Sequence, residues 1–287
     1  MPSWRSIVPR GLRNWLRNPR ASVRWLGSTR AFRRGRAATL DLSASAGVPL
    51  ILRCHPAAGR TFRLFLDDSD HRRELRAFVA ALPSGQLRLF DLGAHYGFFT
   101  LAAIALGGTD TRILAVEPSP AAQRVLNANL ALAAAGGARA RVLGAAVGAT
   151  DGSMRMLAGG VASEHYMFAA PSARPDAVAI RQFTLPTLAR QAGFAPTLVK
   201  LDVEGGEFEV LTAPPNLEAL RAWRVPLLLE LHAEWIRQRG RNPAEVLAAL
   251  AGLGYELFHD GAPVAAAQAV AVPLVRLLCR FPRPHTA

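Results

Sequence analysis

The sequence contains few cysteines and no long hydrophobic run. Only two cysteines, Cys54 and Cys279, occur among its 287 residues. They are too few for a disulfide framework and lack the spacing of metal ligands, so reduced thiols in a reducing compartment are expected. No stretch reaches the roughly 18 consecutive apolar residues that a membrane-spanning helix needs, and the N-terminus lacks the apolar core of a secretory signal. A cytoplasmic location is therefore expected, and a hydrophobic content of 51% allows a sizeable buried core.

Lysine is almost absent from the chain, and acidic residues are missing from its N-terminus. Of the 34 basic residues only one, Lys200, is a lysine. A lone ammonium group in a chain that otherwise uses arginine predicts a specific role for Lys200, with a merely salt-bridged lysine as the alternative. Residues 1–36 contain ten arginines and no acid, so only +3 of the net charge of +13 belongs to residues 37–287. The basic character is thus confined to an N-terminal arm.

This basic arm, taken as residues 1–40, combines its arginines with three tryptophans and with apolar residues at helical spacing. The pattern is typical of an amphipathic segment that binds an anionic membrane surface or an acidic partner, which would place the protein peripherally at the inner membrane surface. A short helical extension without such a role is an equally supported interpretation. Nucleic acid is not an expected partner, because no recognition motif accompanies the charge.

Residues 41–85 are predicted to form a hairpin and a helix that precede the main domain. Apolar runs at 49–54 and 61–68 flank a turn that contains Gly59, which predicts two paired strands. Asp70 can then cap the helix that follows.

Residues 86–287 alternate between strand and helix patterns. The alternation predicts an α/β domain, with a seven-stranded, mostly parallel sheet and helices on both faces. The predicted strands are 87–91, 112–117, 141–147, 197–202, 226–231, 255–259 and 271–279. Residues 151–183 are less regular and are interpreted as an insertion near the sheet edge that carries substrate contacts.

Polar groups follow the predicted strands at the edge where parallel sheets bind ligands. In DLGAHYGFFT (residues 91–100), Gly93 and Gly97 bracket a turn whose backbone can approach a ligand closely, and the next helix offers unpaired amides to an anionic group. Glu117 ends the next strand, where a carboxylate accepts hydrogen bonds from ribose hydroxyls. These features favour a nucleoside-containing cofactor, while the absence of the full G-x-G-x-x-G spacing counts against a dinucleotide. A solvated carboxylate is the alternative for Glu117.

Several motifs in a fixed order resemble the FkbM family of S-adenosylmethionine-dependent methyltransferases. They are the glycine loop, RILAVEP (112–118) and LVKLDVEGGEFEVL (198–211), with TLPTL (184–188) before the last and LLLELHAEW (227–235) after it. The resemblance covers residues 86–235. It implies a class I methyltransferase fold and methyl transfer from S-adenosyl-L-methionine, typically to a hydroxyl oxygen of a sugar, glycolipid or secondary metabolite. The sequence departs from the usual pattern at His95, at Tyr96 and at the proline of TLPTL. These differences affect which acceptor is expected more than whether the cofactor is bound.

The resemblance also implies contacts to the cofactor. The residues expected at its amino-acid end are Asp91, Gly93, Ala94 and Gly97. Glu117 would hold the ribose. The third strand ends in Gly144-Ala145-Ala146 without a carboxylate, so backbone groups around Ala145 are expected near the adenine.

Three residues of the last two motifs are candidates for catalysis: Lys200, Asp202 and His232. Alternation along a strand places Lys200 and Asp202 on one face, and Glu230 and His232 on one face of the neighbouring strand. The hypothesis is that His232 or Asp202 takes the proton of the acceptor hydroxyl, while Lys200 holds Asp202 or the acceptor electrostatically. A histidine that is only hydrogen-bonded at a strand end is the alternative for His232. No metal is predicted, because the sequence shows no compact ligand set.

The expected partner is a small-molecule or glycan acceptor.

Two functions other than methyl transfer remain open. A nicotinamide-dependent oxidoreductase is disfavoured by the loop spacing and by the K-x-D-V-E-G segment. A binding or scaffold protein that keeps the fold would be expected to have lost Glu117 or the glycines, and both are present.

Overall fold

The computed structural model describes residues 37–133, 138–158, 166–168 and 177–282. The predictions for the arginine-rich residues 1–36 lie outside the described residues and stay predictions. Within the described ranges, helices pack on a large mixed sheet, and a second, smaller sheet lies beside it. Elements are numbered along the chain.

A small antiparallel pair of strands begins the described chain. Strand β1 (Ala38–Asp41) pairs with β2 (Ile51–Cys54), and the short helix α1 (Ser43–Ala46) connects them. Two helices follow, α2 (Pro56–Asp67) and α3 (Ser69–Ala81). Strand β1 therefore overlaps the last residues of the segment that the sequence assigned to the arm.

The predicted hairpin over 49–54 and 61–68 is wrong in its second strand, because the second run lies in α2. Phe62, Leu64 and Leu66 alternate as in a half-buried strand. Phe62 and Leu66 also have the i, i+4 spacing of a helix, however, and Leu64 is 51% exposed. The actual partner of the first run is β1, which precedes it in the chain.

The starts of α2 and α3 explain the difference. Pro56 lies in the first turn of α2, a position that proline favours. Gly59 is a helix residue and not a turn residue, and a Cβ atom there would lie 2.7 Å from the Cβ atom of Ala38. The glycine thus lets α2 pack closely on β1. Helix α3 is capped by Asp68, whose carboxylate accepts a hydrogen bond from the backbone of Asp70 at 2.7 Å, and not by Asp70 itself.

The large sheet contains all seven predicted strands and one additional two-residue strand. Its members are β3 (Arg88–Leu92), β4 (Arg112–Val116), β5 (Arg139–Leu143), β10 (Leu198–Leu201), β11 (Leu227–Leu231), β12 (Glu256–His259), β13 (Ala262–Pro263) and β14 (Val275–Arg280). They lie in the order β13-β12-β14-β11-β10-β3-β4-β5. The predicted α/β fold with a mostly parallel sheet is confirmed.

The strand order reverses at β3. Strands β5, β4, β3, β10 and β11 are parallel, whereas β14 lies antiparallel between β11 and β12. After β3 the chain moves outward through β4 to β5, and it then returns to the other side of β3 as β10. A crevice forms where such a reversal occurs, outside the carboxyl ends of the strands.

Helices cover both faces of the large sheet. They are α4 (Phe98–Leu106), α5 (Pro120–Ala133), α6 (Leu185–Ala192), α7 (Glu207–Leu211), α8 (Pro214–Trp223), α9 (Ala233–Gln238), α10 (Pro243–Gly252) and α11 (Ala266–Ala269). Neighbouring strand residues join different buried clusters: Phe90 and Val199 pack with α6 to α10, and Leu89 and Leu198 pack with α2 to α5. Both faces of the central strands are therefore buried, as their continuous apolar runs indicate.

The region interpreted as an irregular insertion contains regular strands. Strands β6 (Ala146–Val147), β7 (Gly152–Ala158), β8 (Tyr166–Phe168) and β9 (Ala177–Phe183) form a second sheet in the order β6-β9-β7-β8. The predicted strand 141–147 accordingly divides between β5 and β6. Arginines and small residues within β7 and β9 obscure the alternation that identifies a strand.

Neither cysteine forms a disulfide. Cys54 and Cys279 are both buried, and they belong to different core clusters. Among the described residues, no helix combines the length and the apolar character needed to cross a membrane.

Candidate functional site

A cavity of about 300 Å³ opens at the carboxyl ends of β3, β4, β10 and β11. The predicted site residues that line it are Gly93, Ala94, Glu117, Ala145, Lys200 and Asp202. The predicted residues Asp91, Gly97 and His232 do not line it. The fold therefore brings most of the predicted site together at the reversal of strand order.

Gly93 lines the cavity and also allows two strand ends to touch. Its φ of +79° lies in the left-handed region, and a Cβ atom here would lie 1.7 Å from the backbone oxygen of Asp202. Gly97, at φ +83°, begins α4, and its Cβ atom would lie 2.3 Å from Leu126 Cδ1. Both glycines thus shape the loop and pack it against its neighbours.

Replacing Gly93 with alanine is expected to lower the free energy of unfolding by about 3 kcal/mol or more, because the new methyl group would overlap a backbone atom. Gly193→Ala is a matched control, since Gly193 has a similar φ of +75° but no atom within 4 Å of a Cβ position. The control should lose only about 1 kcal/mol. Denaturant unfolding of both variants measures the difference, and equal losses would contradict this account of Gly93.

Glu117 connects the glycine loop to the end of β4 through hydrogen bonds. One carboxylate oxygen accepts a hydrogen bond from the backbone of His95, and the other accepts one from the backbone of Ser119, both at 2.7 Å. Burial raises the pKa of Glu117 to about 7, although these two hydrogen bonds act in the opposite direction. Glu117 also lines the cavity, so its carboxylate both shapes the loop and faces the cavity.

The raised pKa of Glu117 predicts a pH-dependent effect of Glu117→Gln. Because the folded chain binds this proton more tightly than the unfolded chain, the contribution of Glu117 to stability is largest below pH 4.5 and is lost as the pH rises through about 7. Glutamine does not titrate. The free energy of unfolding of the variant, relative to wild type, should therefore increase by about 3 kcal/mol from pH 4.5 to pH 8. Denaturant unfolding at both pH values tests this, and a constant difference would contradict it.

Asp91 lies beneath the loop and not in the cavity wall. It is 1% exposed, and one carboxylate oxygen accepts a hydrogen bond from the Thr100 hydroxyl at 2.6 Å. Its other oxygen has no hydrogen-bond partner in the described part of the chain. Asp91 is the register partner of Lys200 on β10. Burial raises the pKa of Asp91, against the attraction of Lys200.

Lys200 is the cation of the site. It is 4% exposed, and its Nζ atom lies 2.9 Å from Asp202 Oδ2 and 5.5 Å from the centroid of the Phe99 ring. Burial lowers the pKa of Lys200, but carboxylates nearby outweigh this effect and hold the pKa above its ordinary value. These carboxylates belong to Asp202, Asp91, Glu74 and Glu230. The predicted electrostatic contact between Lys200 and Asp202 is present.

His232 lies behind the cavity wall at the start of α9. Its Nδ1 atom is 2.9 Å from Glu207 Oε1, and its Nε2 atom is 3.6 Å from Glu204 Oε2. The ring stacks on Trp235 with centroids 4.6 Å apart. Burial lowers the pKa of His232, but the hydrogen bond and charge of Glu207, followed by Asp202 and Glu230, raise it to about 9. A protonated imidazole behind the wall is a poor proton acceptor for a ligand in the cavity.

Glu207 fixes the turn that carries the motif. Its Oε1 atom accepts hydrogen bonds from the backbone N–H groups of Val203 and Gly205, at 3.1 and 3.2 Å, besides contacting His232. The side chain is fully buried. Glu207 lies in the first turn of α7, where an acidic side chain complements the helix N-terminus, and it also contacts the imidazole of His232.

The fold assembles a set of metal-type ligands that the sequence did not reveal. Asp202, Glu204 and His232 each offer one ligand atom, and these atoms lie within 4.8 Å of one another. They come from the end of β10, the turn after it and the end of β11. The sequence predicted no metal because it showed no compact ligand set. The folded chain does bring such a set together.

A buried ionic network was missed by the sequence analysis. Arg276 on β14 bonds Glu230 at 2.7 Å and Glu74 at 3.2 Å, and it lies 3.0 Å from the Nε2 atom of His71. Burial raises the pKa of Glu74 to about 7 and that of Glu230 well above its ordinary value. His71, Glu74 and Glu230 line the cavity. One sequence feature could have indicated this network. Glu74 and the buried Phe78 are four residues apart, which places a carboxylate on the apolar face of α3.

Aromatic rings form part of the cavity lining, called here the aromatic wall. Phe62 and Phe65 of α2 contact Phe98 edge to face, with centroids 5.1 and 6.3 Å apart. Phe98 contacts Phe99 at 5.2 Å, and the His71 ring stacks on Phe65 at 4.5 Å. The helix that the sequence assigned to a hairpin thus supplies part of the site.

A family model described as the methyltransferase FkbM domain matches residues 91–257. None of the curated proteins matches this chain.

Solved structures similar to this chain include three from bacteria and an alga. Methyltransferase FkbM from Methylobacillus flagellatus KT is 15% identical, with 78% of this chain and 60% of that chain covered and a TM-score of 0.44. Precorrin-6y C5,15-methyltransferase from Geobacter metallireducens GS-15 is 12% identical, with 75% and 91% covered and a TM-score of 0.42. An arsenic(III) S-adenosylmethionine methyltransferase from Chlamydomonas reinhardtii is 14% identical, with 74% and 75% covered and a TM-score of 0.35. This chain spans less than two thirds of the first of these proteins.

Proposed function

The chain belongs to the FkbM methyltransferase family, and we propose that it transfers a methyl group from S-adenosylmethionine to a hydroxyl oxygen of a sugar, glycolipid or secondary metabolite. The proposal rests on one cavity in which the glycine loop, Glu117 and the Lys200–Asp202 pair meet. When bound, S-adenosylmethionine supplies an electrophilic methyl group on a positively charged sulfur. The protein has to hold the acceptor oxygen in line with that group.

The loop side of the cavity fits a nucleoside. Each oxygen of Glu117 accepts one backbone hydrogen bond, and a carboxylate can accept about four, so the ribose hydroxyls can be bound as well. Ala145, Ala146 and Val147 form a wall of small apolar residues where a flat base would lie. Five carboxyl groups and one lysine line the cavity, and a positively charged sulfonium bound among them would favour the ionised forms of these carboxyl groups.

On the acceptor side, geometry favours Asp202 over His232 as the group that takes the proton. Asp202 lines the cavity, whereas His232 does not. Lys200 holds one oxygen of Asp202, and the other has no hydrogen-bond partner among the described residues. An acceptor hydroxyl in the cavity can donate its hydrogen to this carboxylate. Asp202 would take the proton as the hydroxyl oxygen accepts the methyl group, and the S–C bond that breaks would leave a neutral thioether. Lys200 keeps Asp202 ionised before the transfer.

The aromatic wall supports an acceptor that has an apolar face as well as hydroxyl groups. The faces of Phe62, Phe65 and Phe99 offer apolar contact, and the carboxylates on the other side accept hydrogen bonds. A sugar ring and many secondary metabolites combine both properties.

Labelled methyl transfer tests the reaction. The purified protein is incubated with S-adenosylmethionine carrying a labelled methyl group and with pooled sugars, glycolipids or polyketides. The label should enter a product as a methyl ether, which survives mild alkali. Label recovered only in alkali-labile methyl esters, or no transfer by a protein that binds the cofactor product, would contradict the proposal.

We also propose that the arginine-rich residues 1–36 bind an anionic membrane surface and bring the enzyme close to a lipid-linked acceptor. Full-length protein should bind vesicles that contain anionic lipid, and binding should weaken strongly with added salt. A chain that lacks residues 1–36 should lose most of this binding, measured by vesicle sedimentation. Unchanged binding by the shortened chain would contradict the role of the arm.

A further inference from the structure

We propose that Asp202, Glu204 and His232 bind one divalent cation of the Mn²⁺ or Mg²⁺ type at the rim of the cavity. The three side chains come from neighbouring strand ends, and their ligand atoms lie within 4.8 Å of one another. Atoms that share one ion at roughly 2.1 Å lie about 3–4 Å apart. His232 Nε2 and Glu204 Oε2, at 3.6 Å, already have such a spacing.

The contacts of His232 give this proposal independent support. The Nδ1 atom of the ring faces Glu207 Oε1 at 2.9 Å, so the hydrogen-bonding side of the imidazole is fixed by a fully buried carboxylate. Metal-ligating histidines almost always donate their second N–H group to a carboxylate or carbonyl in this way. The Nε2 atom then points toward Glu204, and a cation bound there would displace the proton that this nitrogen otherwise carries. The side chain of His232 is 9% exposed, so the ring has little freedom to turn away.

Asp202 provides a second oxygen for the site. Its Oδ2 atom is held by Lys200, while its Oδ1 atom is buried and forms no hydrogen bond within the described ranges. A cation would satisfy this oxygen without breaking the contact to Lys200.

The ligand chemistry suggests the type of ion. Two carboxylates and one imidazole, without thiolates, suit Mn²⁺, and Mg²⁺ can compete for the oxygen ligands. Three protein ligands leave positions for water or for an acceptor hydroxyl. An acceptor oxygen bound there would lose its proton more easily, because the cation stabilises the developing negative charge.

Manganese titration of the full-length protein tests the site. Chelator-treated protein is titrated with Mn²⁺ while the electron paramagnetic resonance signal of free Mn²⁺ is followed. Wild type should bind one ion, and excess Mg²⁺ should displace it. Glu204→Gln and His232→Gln should each raise the dissociation constant at least tenfold, and Glu207→Gln should raise it about ten- to a hundredfold through the imidazole.

Two further variants make the test specific. Glu234→Gln removes a half-exposed carboxylate of α9 beside the site and should bind Mn²⁺ as wild type does. Glu204 has a φ of +53°, which glycine adopts without strain. Glu204→Gly loses the contact with His232 but suits the positive φ, so this variant should still fold and should lose the ion.

Failure of this inference can be told apart from failure of the proposed methyl transfer. Binding of S-adenosylhomocysteine is measured on the same samples with and without Mn²⁺. No Mn²⁺ binding by wild type at millimolar concentration would overturn the cation site, as would equal binding by the Glu204, His232 and Glu234 variants. Loss of cofactor binding alone would leave the cation site in place.

Discussion

Replacing Lys200 with methionine is expected to lower the free energy of unfolding by about 3–5 kcal/mol, because buried carboxylates would lose their common cation. Lys200 Nζ lies 2.9 Å from Asp202, and the Asp91, Glu74 and Glu230 carboxylates also act on the ammonium group. Methionine keeps most of the volume of the side chain, so little of the loss should come from packing. Denaturant unfolding at neutral pH measures the change.

Leu201→Met is the matched control for the methionine variant. It introduces the same residue at the next position of β10, also buried but without charge, and should cost less than about 1.5 kcal/mol. A loss below about 1 kcal/mol in Lys200→Met would show that the carboxylates do not depend on Lys200.

Asp202→Asn is expected to lower kcat for methyl transfer by about 10²–10⁴-fold, the range that a positioned proton acceptor contributes. Asparagine keeps the shape of the side chain but cannot take the proton of the acceptor hydroxyl. The dissociation constant for S-adenosylhomocysteine should change less than threefold, because the cofactor product needs no proton acceptor. Rates are measured with the acceptor identified by labelled transfer.

The control for this variant is again Glu234→Gln, whose carboxylate does not line the cavity and whose loss should leave kcat unchanged. His232→Gln separates the two original candidates for the proton acceptor. If Asp202→Asn kept more than a tenth of the wild-type rate while His232→Gln lost it, the proton would go to His232 and the present assignment would be wrong.

The large sheet was predictable because its signals are local. Strands β3, β4 and β10 are mostly apolar, and each is followed by a carboxylate or glycine, which identifies both the strand and its carboxyl edge. Because the strands are parallel, Glu117 and Lys200 lie toward the same edge. No comparable signal marked β7 and β9, where small residues and arginines interrupt the alternation.

The N-terminal elements were harder to predict because two periodicities coincide. Phe62 and Leu66 fit both a strand and a helix, and Gly59 resembles a turn residue until its contact with Ala38 is known. The choice depends on tertiary packing that the local sequence does not contain. The contribution of α2 to the aromatic wall was missed for the same reason.

Part of the candidate site could be predicted, because Lys200 and Asp202 are two residues apart on one strand and must share a face. The network of Glu74 and Arg276 could not, since these residues are distant in the chain and meet only through the packing of α3 on β14. The ligand set around His232 likewise depends on how the turn at Glu204 folds, with a positive φ that the sequence does not indicate. The functional roles of these residues stay predictions.

Calorimetric titration with S-adenosylhomocysteine tests the central claim that this cavity binds the cofactor of a methyltransferase. Wild type should bind with micromolar affinity, about −8 kcal/mol, and NAD should not bind. Glu117→Gln keeps an acceptor oxygen for only one of the two backbone N–H groups that Glu117 binds, and it weakens hydrogen bonds to the ribose, so the dissociation constant should rise about 10–100-fold. Glu218→Gln, an exposed carboxylate on α8, should bind as wild type does. Absence of binding to wild type, or equal affinity in Glu117→Gln, would contradict the claim.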